Sequence, residues 1–163
     1  MKLYRTFLVL CIVAVVGFIL YNSTRTGERS SEISQGVTDK VIEQVIPDYS
    51  ELDSSRQQEL SHKLHLSVRS IAHAVEFCAL AGLLCLLLFT FNMNHGRYPM
   101  PILITLFFCF AFALSDEMLQ GAFAGRGTDI MDVVMDMMGV AVAVIGAVLV
   151  DAIGCKLLES DED

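Results

Sequence analysis

SDEMLQGAFAGRGTDIMDVVMDMMG, residues 115–139, sets Asp116, Glu117, Gln120, Arg126, Asp129, Asp132 and Asp136 between two strongly apolar runs. A charged side chain at the centre of a membrane helix costs roughly 2.5–3.5 kcal/mol on insertion scales. A chain that keeps this many such groups beside its apolar runs has a use for them, and ionisable residues at membrane depth default to a functional role. The remaining sequence is expected to supply their partners.

The 163 residues are 54% hydrophobic, with a mean hydropathy of +0.57. That is too apolar for a soluble domain of this length and fits a small polytopic membrane protein of one domain. The formal net charge is −8, much of it in residues 28–59 and in the tail at 156–163. Nucleic-acid binding needs clustered Lys and Arg, so that class of partner is excluded. Cys11, Cys78, Cys85, Cys109 and Cys155 all lie in or beside apolar runs. They read as small core residues, since a disulfide framework would occupy the polar loop.

Four apolar runs predict four transmembrane helices, at about 6–21, 68–91, 100–120 and 130–153. The first follows Lys2 and Arg5 and has no convincing cleavage site after it, so it reads as an uncleaved anchor. Residues 22–64 form a polar outer loop. Ile33, Val37, Val41 and Val45, reinforced by Ile42 and Ile46, recur at helical spacing, and Pro47 ends that stretch. Ser54 or Ser55, each with Gln three residues on, is the expected cap of a second short helix. Neither stretch is long or apolar enough to span, so both are expected as amphipathic helices on the extracytoplasmic side. Gly139, Ala143 and Ala147 form a small-residue stripe on the fourth run, which lets helices approach closely. The fold class is all-α integral membrane, the arrangement that satisfies the backbone in lipid without strand alternation. Lys2, Arg5, His95, Arg97 and Lys156 flank the spans on one side, which is therefore expected to be cytoplasmic, with both termini inside.

Three helices then carry polar stripes at one depth, in their outer halves. Arg69, His73 and Glu76 are spaced i, i+4, i+7 on the second span. Asp116 and Gln120 are i, i+4 at the end of the third, with Glu117 beside them; Asp132 and Asp136 are i, i+4 at the start of the fourth. Arg126 lies in the link just above. Interhelical polar contacts in membranes contribute about 0.6 kcal/mol on average, and holding a bundle together needs one or two of them. A stripe on three helices points to an outward-opening binding site. Glu76, Asp116, Glu117, Asp132 and Asp136 outnumber Arg69 and Arg126, so a shared pocket needs protons, a protonated His73 or a cation to balance it.

Other chemistries find less support. His73 and Glu76 are an i, i+3 pair, but no second His is near and HExxH is absent, so no metal or other cofactor is assigned. Ser115 has no nucleophile partner and Gly-x-Ser-x-Gly is absent. Gly125-Arg126-Gly127 reads as a turn. Asn22-Ser23-Thr24 matches a glycosylation sequon, a pattern too common to use. Met118, Met131, Met135, Met137 and Met138 read as packing.

The combined pattern Arg69-x3-His73-x2-Glu76, Asp116-Glu117-x2-Gln120, Arg126 and Asp132-x3-Asp136-x2-Gly139 resembles the VanZ-like family of bacterial membrane proteins. The segment from Ser23 to Ser34, with Gly27, Glu28, Ser30 and Ser31, resembles the family's segment after its first span. The chain departs from the family pattern at Ser70, where Lys is common, at Ala74 and Phe77, where Phe and Tyr are frequent, and at Asp136, where Asn is common. The resemblance implies a four-span protein of the bacterial cell membrane associated with resistance to teicoplanin-type lipoglycopeptides. The expected partners are membrane lipids and a lipid-linked cell-wall precursor or a lipoglycopeptide. The expected ligand-binding residues are Arg69, His73, Glu76, Asp116, Glu117, Gln120, Arg126, Asp132 and Asp136. If the protein is an enzyme acting on a lipid-linked substrate, His73, Glu76, Asp116 and Glu117 are the acid–base candidates. A transporter is disfavoured, because the inner halves of the spans carry almost no charge and no inverted repeat is visible.

Overall fold

The computed structural model describes residues 1–24, 35–42, 44, 46, 49–91, 98–122 and 128–160. Arg126, Ile33, Val45, Pro47, His95, Arg97 and most of the segment from Ser23 to Ser34 lie outside the described residues. The described elements are helical: α1 (Lys2–Ser23), α2 (35–42), a 3-10 turn (Tyr49–Glu51), α3 (Ser54–Phe89), α4 (Pro99–Ala122) and α5 (Ile130–Ser160). Among them α1, α3, α4 and α5 are long and apolar enough to cross a membrane. The 24 residues of α4 rise about 36 Å at 1.5 Å each, enough for a hydrocarbon core of about 30 Å.

Each helix begins where its sequence permits. Pro99 is the first residue of α4, where its missing N–H would have no partner, and the Tyr98 carbonyl accepts the first bond, from the Ile102 N–H at 3.0 Å. Asp129 caps α5: its Oδ1 accepts from the Met131 N–H at 2.9 Å and its carbonyl from the Asp132 N–H at 2.9 Å. At α3 the expected cap moves by one residue. Asp53 is the N-cap, the Ser55 hydroxyl donates to its carboxylate, and the Gln57 side chain instead bonds the Tyr49 carbonyl at 2.8 Å.

The second short helix and the second span are also one element. No Gly or Pro interrupts residues 54–81, and Leu60, Leu64 and Val68 keep helical spacing through the polar-to-apolar change. The result is a 36-residue helix that runs from the polar cap into the membrane. On α2 the buried positions are Thr38 and Ile42, while Val37 is exposed, so the packed face is rotated from the valine stripe. Helix α5 likewise continues past its span to Ser160, into the acidic tail.

The four long helices alternate in direction. Near the start of α1, Arg5 donates to the Thr90 hydroxyl at 2.9 Å and to the Thr90 carbonyl, just past the end of α3. At the finish of α1, Asn22 and Ser23 meet Glu76 of α3 and Asp116 of α4. Tyr98, ahead of α4, donates to Asp151 in the last part of α5 at 2.9 Å. Between these two ends lies an apolar core that includes Phe77, Leu80, Ala81, Cys85, Cys109, Ala113, Val140 and Val144. Cys85 and Cys109 are fully buried in it, as expected of small core residues.

The interface of α3 with α5 is the most extensive. Its closest approach is at Gly139, where an added Cβ would stand 2.0 Å from the Ala74 carbonyl oxygen, a backbone atom. Two turns or so further, Gly82 of α3 faces Ala143 of α5. The predicted small-residue stripe is therefore the seam along α3. We expect Gly139→Ala to lower the thermal stability of the detergent-solubilised protein by about 1–3 kcal/mol, because backbone must move. Gly146→Ala, where a Cβ meets nothing within 4 Å, should be neutral or slightly stabilising. Equal melting temperatures for Gly139→Ala and wild type would contradict the close contact.

Candidate functional site

The polar stripes converge because the seam holds α3 and α5 in register. Asp132, Asp136 and Gly139 follow one another on the face of α5 that meets α3, so the contact that fixes Gly139 against Ala74 also brings Asp132 to Arg69 and Asp136 to His73. Arg69 donates to the Asp132 carboxylate at 3.0 Å and to Gln120 Oε1 at 3.5 Å. Gln120 Nε2 donates to Asp116 Oδ2 at 2.7 Å, and the Ser23 hydroxyl donates to Asp116 Oδ1. A continuous chain of side chains, Ser23–Asp116–Gln120–Arg69–Asp132, thus links all four long helices. Asp116, Gln120 and Ser23 are at most 2% exposed, where an unmade hydrogen bond is costly.

The other acids are placed individually. Glu76 accepts from Asn22 Nδ2 at 2.7 Å. Glu117 accepts the Asp129 backbone N–H, so it ties the end of α4 to the start of α5. Asp136 is 2% exposed, and its Oδ1 stands 3.7 Å from His73 Nδ1, outside hydrogen-bond range but within ion-pair range. Among the described residues Asp136 Oδ1 accepts no hydrogen bond.

A family model described as VanZ/LLP1 matches residues 7–151. The chain belongs to the VanZ/LLP1 family. No curated protein and no solved structure matches it. The matched range takes in every described member of the polar cluster, from Asn22 to Asp136, and leaves out the acidic tail. In this VanZ/LLP1 chain the cluster therefore belongs to what the family model covers.

Two features of the cluster were not visible in the sequence stripes. The first is the share of α1: Asn22 and Ser23 sit at the end of an otherwise apolar helix and supply donors to Glu76 and Asp116. Their signal in the sequence was the polar pair itself, which also matches a common sequon. The second is a cleft of ≈ 460 Å³ between α3 and the start of α5, lined by Leu66, Arg69, Ser70, Thr128, Asp129, Met131 and Asp132. Among the described residues Arg69 and Asp132 are the network members that line it, with side chains 28% and 11% exposed. His73, Glu76, Asp116, Glu117, Gln120 and Asp136 do not line this cleft. Among the described residues, no three His, Cys, Asp or Glu side chains gather as a metal-holding group.

The Arg69–Asp132 pair makes a measurable claim. Arg69→Ala leaves Asp132 and Gln120 without their donor and should cost about 1–3 kcal/mol of stability. In a double-mutant cycle with Asp132→Ala, read by thermal unfolding in detergent, the two losses should be less than additive by about 1 kcal/mol. Strict additivity would mean that the pair does not interact.

Proposed function

We propose that the polar end of the bundle faces the extracytoplasmic side of a bacterial cell membrane and receives the head group of an envelope amphiphile in the Arg69 cleft. The orientation rests on Lys2 and Arg5 at the opposite end, the side that the basic-residue rule makes cytoplasmic. The ligand we favour is a lipid-linked cell-wall precursor or a lipoglycopeptide, and the biological outcome a contribution to teicoplanin-type resistance. The observation that carries the reading is the cleft itself, a cavity between two membrane helices lined by the Arg69 guanidinium with Asp129 and Asp132. The planar guanidinium offers several donors to a phosphate or carboxylate. Asp132 beside it holds the guanidinium in position and offers an acceptor to a ligand amine. A ligand with its tail in the bilayer needs little further affinity from the pocket, because the membrane already concentrates it.

Filling the cleft tests this without dismantling the network. Ser70 lines the cleft and makes none of the hydrogen bonds described above. Ser70→Trp, produced in a susceptible bacterial host at the wild-type membrane level, should reduce protection against teicoplanin to that of cells lacking the protein. Undiminished protection would overturn the reading.

A second reading is favoured by the His73–Asp136 pair. A carboxylate 3.7 Å from Nδ1 lies within ion-pair reach of an imidazole, the kind of neighbour a general acid–base group uses. On this reading the protein alters a lipid-linked envelope substrate. Lipid and wall-precursor extracts from cells carrying wild type or His73→Ala should then differ in mass, and identical profiles would remove the enzyme reading.

A further inference from the structure

A second cavity lies in the polar cap, apart from the charged cluster. It measures ≈ 430 Å³ and is an open depression bordered by the start of α2, the 3-10 turn and the first turns of α3. Its walls differ in kind from the Arg69 cleft. Among the described residues, Tyr49, Gln57, Gln58, Ser61, His62 and His65 line it together with Gln35 and Ser54, none of them Asp, Glu, Lys or Arg. The wall is also built in advance. The Tyr49 hydroxyl donates to the Gln57 carbonyl at 2.8 Å, and Gln57 Nε2 donates back to the Tyr49 carbonyl at 2.8 Å, which fastens the turn to α3. Gln35 Nε2 reaches Ser61 Oγ at 3.2 Å, which fastens α2 to the same helix. Within this frame His65 Nδ1 is buried and has no hydrogen-bond partner among the described residues. A buried polar atom left unmatched carries a free-energy cost that a ligand can remove.

The described lining of amides, hydroxyls, imidazoles and one phenol, with the Asp39 carboxylate held behind the Gln35 amide at 3.0 Å, matches a ligand that is neutral and dense in hydroxyl or acetamido groups. Each wall group can both orient and be oriented by such a ligand. The size falls in the range of small-molecule sites. We propose that the cap cavity is a sugar-binding site, separate from the Arg69 cleft and specific for neutral saccharide units. His65 and Arg69 are i, i+4 on α3, so the two cavities succeed one another along a single helix. The sugar assignment stands on the cap alone and does not depend on what occupies the cleft.

The test uses the full chain in phosphatidylcholine nanodiscs, with N,N′-diacetylchitobiose as probe and saturation-transfer NMR as readout. Wild type should give transfer to the acetamido and ring protons. Ser61→Leu and Gln58→Leu, at two positions on one wall, should each weaken binding roughly fivefold to tenfold, the loss of a neutral hydrogen bond. Ser70→Trp, which fills the other cleft, should leave the signal unchanged. A glucosyl diacylglycerol added to the nanodisc distinguishes the source: competition marks a membrane-anchored sugar, and persistence of the signal marks a free glycan, either being consistent with a saccharide site. No transfer to wild type, or loss of transfer in Ser70→Trp with none in Ser61→Leu and Gln58→Leu, overturns the proposal.

Discussion

The contact on which the site depends is the one between Gly139 and the Ala74 carbonyl. There is no space for a methyl group at that point, so the axes of α3 and α5 are held as near as two helices can come. Lipid tails are as apolar as the side chains that face them, so helices in a bilayer associate through close packing and polar contacts. The seam supplies the first and thereby permits the second. With the helices this near, Asp132 lies within 3.0 Å of Arg69. A larger residue at 139 would move α5 outward and stretch that contact beyond hydrogen-bond length.

Given that geometry, the excess of acid is less severe than a count of charges implies. Four of the five carboxyls have their own hydrogen-bond donor. Glu76 has the Asn22 amide, Asp116 has Ser23 and Gln120, Glu117 has a backbone N–H at the start of α5, and Asp132 has Arg69. Neutral donors from α1, α4 and the α5 cap therefore do much of the work that a sequence count assigns to arginines. Asp136 is the exception, facing His73 across 3.7 Å.

The sequence made the stripes legible because i, i+4 spacing on apolar helices is unambiguous: Arg69 with His73, Asp116 with Gln120, Asp132 with Asp136. It also made the seam legible, through Gly139 and Ala143. The pairings across helices were hidden, since spacing sets a face and leaves the rotation of one helix against another open. Arg69 turned to Asp132 and Gln120, and Glu117 turned to the α5 backbone. The share of α1 was hidden for a different reason. Asn22 and Ser23 at the end of a span look like ordinary interfacial residues, and only the position of α1 beside α3 and α4 makes them donors. The continuity of α3 is hidden in the sequence because its polarity changes near Val68 while its helical spacing does not. That continuity matters, since it places the cap cavity and the cleft on one rigid element.

The two ends of the bundle are polar in different ways, and the difference bears on what the protein can do. At one end a chain of buried side chains runs across all four helices beside an open cleft. At the other, Arg5 closes the carbonyl end of α3 at Thr90 and lies 3.9 Å over the Phe91 ring, while Tyr98 meets Asp151. Arg5 there acts as a helix cap and cation–π partner, and Tyr98–Asp151 joins α5 to the entry of α4. Both are local fasteners. Between the ends the described core is Leu80, Ala81, Cys85, Cys109, Ala113, Val140 and Val144, interrupted only by the weak contact of Cys85 with Thr105 at 3.6 Å. Among the described residues the charged network is therefore confined to one end of the bundle, where the end of α1, the end of α4, the start of α5 and the middle of α3 meet.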